Sequence, residues 1–260
     1  MTGYLLQAIL ALPLFPGKAR LARYVGALSG PVWVRTPYGP LFQFHPRDAT
    51  SSYGVVGGGG YDGVLSALSG LTPGMNFIDI GANAGIFSLV AAERIGSDGV
   101  CYAFEPSLPI AARLAANAER NGADNIRILP FGISDTSGFL SMASDEQHTG
   151  RAHLGEDGTA VLVVDLSTGL PELVEEMTSH PFMVKIDVEG HEEHVLRSIQ
   201  NITSHPNCRR VVVEIERAFL TRAGSNAEGV YTLLELAGLA PHGSCDGRDH
   251  YDEIFDRAAA

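Results

Sequence analysis

The chain has 260 residues, 45% of them apolar and 18% charged, with 18 Lys and Arg against 30 Asp and Glu for a net charge of −12. That composition describes a soluble globular chain long enough to bury a full core, and its acidic balance excludes nonspecific nucleic-acid binding, which needs a basic surface. Cys101, Cys208 and Cys245 are far apart and odd in number, which excludes a C-x-x-C zinc pair and predicts reduced thiols in a cytoplasmic protein.

The apolar run YLLQAILALPLF, broken by Pro13 and Pro16, is too short to span a bilayer and lacks the basic start of a signal peptide. No stable membrane insertion is expected; a core-capping helix or a homo-oligomer contact is, with transient interfacial contact as a lesser alternative. Residues 1–30 predict two short helices around the Pro13–Gly17 break. PVWVRTPYGPLFQFHP alternates about Pro37–Pro40 and predicts a hairpin. SSYGVVGGGG, residues 51–60, reads as a linker or a hinge beside a site. The expected division is therefore an N-terminal helical and hairpin extension over 1–60 and a second unit over 61–260.

From Tyr61 the pattern is regular. A helix over 61–69 leads to a strand over 75–80, then a helix (84–95), a strand (99–104), a helix (107–121) and a strand (126–130). Less regular strands near 138–142 and 160–164 precede a short helix near 170–177. A strand (181–187), a helix (190–200), a strand (210–216) and a helix (226–237) follow, with weaker strands near 239–243 and 251–255. Such alternation predicts an α/β fold with a mostly parallel sheet covered by helices on both faces. The ligand then belongs at the carboxyl ends of the strands.

NFIDIGANAGIFSLVAA, residues 76–92, is a buried strand, a glycine turn and an apolar helix, the opening unit of a nucleotide-binding domain. Asp79 ends the strand, and a carboxylate there disfavours a dinucleotide pyrophosphate. Asn83 stands where the second glycine of G-x-G-x-x-G lets backbone approach pyrophosphate. With Gly81 and Gly85, the turn suits a ligand that is cationic at this end, and S-adenosylmethionine carries both an ammonium and a sulfonium. Glu105 ends the next strand, at the spacing of an acid that binds ribose hydroxyls. Asp187 and Glu214 or Glu216 also fall at strand ends, and carboxylates that repel are kept together mainly where function needs them.

These segments resemble the FkbM-type S-adenosylmethionine-dependent methyltransferases. The resemblance rests on FIDIGANAGIFSLVAA, YAFEPSLPIAARLAANAERNG, FGISDTSGFLSM and, above all, VKIDVEGHEEHVLRSI followed by VVVEIE. It covers roughly residues 60–216. It implies a class I (Rossmann-like) methyltransferase fold, a seven-stranded sheet ending in a reversed strand, S-adenosyl-L-methionine as donor and a hydroxyl oxygen as acceptor. By position it implies that Asp79, Gly81, Asn83 and Gly85 form the methionine-side loop, that Glu105 holds the ribose with Pro106 beside it, and that Gly132, Ile133 and Ser134 line the adenine. Tyr61 is expected to close over the methionine end.

Methyl transfer to an aliphatic hydroxyl needs alignment and a base for the departing proton. Asp187 is the first candidate to contact the donor or the acceptor hydroxyl. His191 is the candidate base on intrinsic pKa, and Glu214 is the candidate partner of Asp187. The H-x-x-H pair His191 and His194 lacks a third metal ligand. Asp187 with Glu214 suits Mg²⁺, but with no third ligand evident, metal dependence is not expected. His45, Tyr53, His148 and His153 are placed in loops about the acceptor pocket. The expected reading is O-methylation of a small-molecule hydroxyl, on a sugar or polyketide-type product, with no nucleic-acid partner. The alternatives are an NAD-linked oxidoreductase, disfavoured by Asp79 and Asn83, and an inactive donor-binding partner subunit.

Overall fold

In the computed structural model, residues 2–13, 15–27, 30–51, 61–145, 148–154, 158–244 and 247–258 are described. Two helices, Thr2–Ala11 and Lys18–Gly26, lead into a hairpin of β1 (Val32–Arg35) and β2 (Leu41–Phe44), paired antiparallel. The helix Asp62–Leu68 then delivers the chain to β3 (Asn76–Ile80). Thereafter come helix Ile86–Ile95, β4 (Cys101–Phe104), helix Leu108–Asn121, β5 (Ile126–Leu129), β6 (Gly132–Ile133), β7 (Gly138–Asp145), β8 (His148–Leu154) and β9 (Thr159–Val164). Helices Leu166–Gly169 and Pro171–Thr178 precede β10 (Phe182–Ile186), and helices Glu192–Ser198 and Gln200–Thr203 precede β11 (Cys208–Glu216). The chain closes with helices Arg217–Arg222 and Ala227–Leu236, β12 (Leu239–Pro241) and β13 (His250–Arg257).

The main sheet has seven strands in the order β12-β13-β11-β10-β3-β4-β5. β5, β4, β3, β10 and β11 run parallel, and β13 is antiparallel to both its neighbours. The reversed strand is last in the chain but next to last in the sheet. This is the class I methyltransferase arrangement that the resemblance implied. All five residues of β3 and of β10 are buried, as expected of central parallel strands covered on both faces. The order reverses between β3 and β10, so the crevice at their carboxyl ends is the topological switch point where ligands bind in open α/β sheets.

Local chemistry explains the element ends. Helix Leu108–Asn121 starts with Pro109 in its first turn, where a missing N–H costs nothing, and stops at Gly122 in the left-handed region (φ 62°). Asn117 and Asn121 in that helix fasten the hairpin: Asn117 Oδ1 accepts from Gln43 N–H, and Asn121 both accepts from and donates to the Leu41 backbone. Leu6, Ile9, Val25, Phe42 and Phe44 lie in one core cluster with Phe77, Phe87 and Leu89. The N-terminal elements thus share their core with one face of the sheet.

The pattern did not predict β6 and β8. Together with β9 and β7 they make a four-stranded side sheet, β6-β9-β7-β8. His148 and His153 therefore stand on strand β8 and not in loops. The glycine run over 52–60, with Tyr53, lies outside the described residues, as does Cys245; Cys101 and Cys208 are buried free thiols. Among the described residues no helix is long and apolar enough to cross a membrane.

Candidate functional site at the switch point

The turn after β3 is held shut by its own backbone. The N–H groups of Gly81 and Ala82 both donate to Phe104 O, and Gly81 (φ 79°), Asn83 (φ 49°) and Gly85 (φ 88°) all take left-handed conformations. At Gly81 a Cβ would overlap the Asp187 carbonyl oxygen. The turn and the end of β10 approach so closely that only glycine fits. Gly85 starts helix Ile86–Ile95 with no side chain capping it, which leaves the positive end of the helix dipole at the crevice.

Asp79 does not face the crevice. It is completely buried; its Oδ2 accepts from Ser88 Oγ at 2.5 Å, and Lys185 Nζ lies 3.3 Å from its Oδ1. The expectation that its carboxylate presents charge to a ligand is therefore corrected. The register pairs Lys185 directly with Asp79 across β3 and β10, so the charge is neutralised inside the sheet. Lys185 Nζ also donates to Gly81 O at 2.8 Å and lies 3.3 Å from Asp187 Oδ2. One buried ammonium thus joins both strand ends and the turn.

Glu105 is also nearly buried. Its two oxygens accept from the N–H groups of Asn83 (3.0 Å) and Ser107 (2.8 Å), and burial pushes its carboxyl up to about 7 despite these bonds. Pro106 beside it is half-buried and packs towards Gly132. Of the three residues expected at the adenine, Gly132 is half-buried while Ile133 and Ser134 are buried.

Beyond β10 and β11 the carboxylates gather. Asp187, Glu189 and Glu214 are partly exposed, and each offers a ligand oxygen within 4.8 Å of the others. Glu189 is the third carboxylate that the sequence pattern did not supply, so the ground on which metal dependence was not expected falls away. Glu189 is left-handed (φ 54°). The turn that holds it is fixed by Glu192 Oε1, which accepts from the N–H groups of Val188 and Gly190, both at 3.1 Å. Burial and then the neighbouring Asp187 push Glu214 above the usual carboxylate range. His250 Nε2 meets Glu214 Oε1 at 2.9 Å, and that bond pulls the imidazole up. Asp252, opposite Glu214 in the β11–β13 register, is pushed up to about 6 by burial and then by Asp187. Tyr61 lies at this mouth: it packs edge-on against Phe87, centroids 4.9 Å apart, and burial, Asp187 and Tyr38 raise its phenol.

His191 is placed elsewhere. Its Nε2 lies 2.9 Å from Ser134 Oγ, and its ring stacks on His194 with centroids 4.4 Å apart. Burial and His194 lower it to about 4, so it is neutral at physiological pH and turned towards β6 instead of the Asp187–Glu214 pair. The expectation of His191 as a titrating base is corrected accordingly. His194 is bonded to Asp135 at 3.0 Å.

The residues that escaped the pattern are Glu189, His250 and Asp252. The signal for the last two was present: they alternate on the closing strand, and only its reversal sets them opposite Glu216 and Glu214.

This geometry fits S-adenosylmethionine. A glycine turn sits at the switch point, the uncapped helix start suits the carboxylate of the ligand's methionine end, and the carboxylates Asp187, Glu189 and Glu214 at the mouth suit its ammonium and sulfonium. Comparison with known proteins agrees. The Methyltransferase FkbM domain matches residues 79–239. Hexuronic acid methyltransferase AglP of Haloferax volcanii is 29% identical over 163 residues, 62% of this chain and 62% of that protein. AMB antimetabolite synthetase AmbE of Pseudomonas aeruginosa is 27% identical over 224 residues, 70% of this chain but 10% of that protein. The chain thus spans under two thirds of the length of either relative. Solved structures similar to it include a putative rRNA methylase from Clostridium thermocellum (9% identity, TM-score 0.47, 76% of this chain and 96% of that one). A SAM-dependent O-methyltransferase from Thermotoga maritima is another (12% identity, TM-score 0.42, 76% and 64%). The fold is read from the strand order and not from these two.

Proposed function

The chain belongs to the FkbM methyltransferase family, and from that membership we propose that it is an S-adenosylmethionine-dependent O-methyltransferase acting on a hydroxyl of a sugar-type small molecule. The observation that carries the reading is the approach of Asp187 and Glu214, their oxygens within 4.8 Å at the ends of adjacent parallel strands, beside the Gly81 turn. When bound, the donor supplies a methyl group activated by its sulfonium. The chain's own task is to align the acceptor oxygen, exclude water and take one proton.

In this reading Asp187 accepts the hydroxyl proton and releases it to solvent at the partly exposed mouth, while His250, its imidazole pulled up by Glu214, donates to Glu214 Oε1 and offsets the negative charge there. The sugar acceptor follows the relative named hexuronic acid methyltransferase. The hydroxyl follows from this chain's own charges: a carboxylate acceptor needs no base and would be repelled by Asp187, Glu189 and Glu214. Phosphate-rich nucleic acid is disfavoured on the same ground. The test is methyl transfer from S-adenosylmethionine to hexuronic acids and to neutral sugars, followed by mild alkaline treatment of the product. An alkali-stable methyl ether supports the reading; an alkali-labile methyl ester overturns the hydroxyl assignment.

Donor binding is checked separately. Glu105→Ala removes the carboxylate that organises the turn at Asn83 and that this reading assigns to the ribose. Calorimetry should show a loss of S-adenosylmethionine affinity of ~1.5–3 kcal/mol, roughly ten- to hundredfold, and no binding of NAD to the unaltered chain. Unchanged affinity in the variant would remove Glu105 from the donor site.

Glu189 favours a second reading. Asp187, Glu189 and Glu214 would hold a divalent cation of the Mg²⁺ type, which takes carboxylate oxygens and water and would supply a Lewis acid for the acceptor oxygen. Chelation separates the two readings. If the carboxylate pair alone takes the proton, turnover in EDTA stays unchanged; complete loss restored by Mg²⁺ assigns the cluster to a cation.

A further inference from the structure

The charge of the chain is unevenly placed. Residues 1–47 hold five of the eighteen Lys and Arg and none of the thirty Asp and Glu, which leaves the remainder at −17. The same segment carries large apolar side chains turned outward. On helix Thr2–Ala11, Leu6 and Ile9 face the core, while Tyr4, Leu5, Ala8 and Ala11 face solvent, with Leu12 continuing the stripe; Tyr4 is 80% exposed. This outer face has no charged residue. On helix Lys18–Gly26, Ala22 and Val25 face inward, and Arg20, Leu21 and Tyr24 share the outer face, Tyr24 at 74% exposure. Lys18 is buried between the helices and donates to Leu10 O and Leu12 O. It satisfies carbonyls at the end of the first helix and so locks the pair together.

We infer that the outer faces of these two helices, with Tyr4, Leu5, Leu12, Leu21 and Tyr24 as the apolar contact and Arg20 beside them, form a docking surface for an anionic lipid membrane. The helices are too short to span one. Their pattern is that of an element lying in the interface, with apolar side chains at the acyl boundary, aromatic residues at headgroup level and cations towards the lipid phosphates. Charge complementarity selects this occupant over a second copy of the chain. A two-fold dimer sets a patch against itself, so Arg20 would be brought towards its own copy with no acid in the segment to pair with. An anionic surface instead attracts this end and repels the acidic body. Charges farther from the lipid than the Debye length of about 8–10 Å are largely screened, so the repulsion falls off through the body while Arg20 sits at the contact.

The test is co-sedimentation of the full chain with vesicles of phosphatidylglycerol and phosphatidylcholine, against vesicles of phosphatidylcholine alone, with the oligomeric state measured without lipid. Binding should require the anionic lipid and weaken as salt is raised. Arg20→Glu should lower partitioning by at least about fivefold, the effect of one basic charge near the surface, and Leu5→Asp with Tyr24→Asp should abolish it. Both variants should keep the melting temperature and the S-adenosylmethionine affinity of the parent, since these side chains point away from the core. Equal binding to both vesicle types would overturn the proposal, as would no binding to either. A lipid-free dimer that Leu5→Asp dissociates, with no vesicle binding, would assign the face to a second copy.

Discussion

Asp187→Asn should lower turnover by about 10²–10⁴-fold, the usual contribution of a positioned general base, with donor affinity nearly unchanged. Asparagine keeps the size of the side chain and its carbonyl oxygen towards Lys185, so the turn at Gly81 is preserved while the proton acceptor is lost. The pH dependence has a definite sign. Glu214 is held above the usual carboxylate range by burial and by Asp187, so it retains its proton beside Asp187 to higher pH than an ordinary glutamate would. A base works only after that proton has left. Turnover should therefore climb with pH above the ordinary carboxylate range, and Glu214→Gln should move the climb to lower pH by removing the like charge. His191→Ala should leave the shape of the profile intact, because a histidine lowered to about 4 is already neutral where the enzyme works. Full turnover by Asp187→Asn would move the base elsewhere and with it the acceptor pocket.

Much of this site was legible in the sequence because local rules determine it. The strand-turn-helix of residues 76–92 needs Gly81 wherever it forms, and the alternation from Tyr61 to Leu236 dictates a parallel sheet with a single switch point. What the pattern could not give is which way a strand-end acid points. Asp79 sits at the place of a ligand-facing carboxylate, yet the register beside Lys185 turns it into an internal ion pair. Periodicity reports that a strand is buried on both faces, not which buried residues pair. His250 and Asp252 join the site only because β13 runs backwards beside β11, a non-local pairing that no short motif encodes. β6 and β8 escaped for a related reason. β6 is two residues long, and β8, HTGRAHL, is too polar to show the alternation of a half-buried strand.

Lys185→Met should be the most destabilising single change at the site. Lys185 is 1% exposed, and its ammonium serves Asp79, Asp187 and Gly81 O together, with the Phe87 ring 5.5 Å away. Breaking a buried pair by removing one partner costs ~3–5 kcal/mol, because Asp79 would be left charged in a dry core with only Ser88 as donor. For a chain of this size that is roughly 10–15 °C of melting temperature. Two further measurements separate the electrostatic cost from lost packing. Lys185→Met combined with Asp79→Asn removes both charges, and it should recover most of the loss, since neutral replacement of a buried pair is often tolerated. The single variant should also be less impaired in acid. An unpaired buried carboxyl has a folded-state pKa raised above its unfolded value, so its protonated form favours the fold at low pH, and that advantage disappears as pH rises through the raised value. A melting deficit that is the same at every pH and uncorrected by Asp79→Asn would mean that Lys185 fills space in the sheet and that its charge does not hold the strand ends and the Gly81 turn in register.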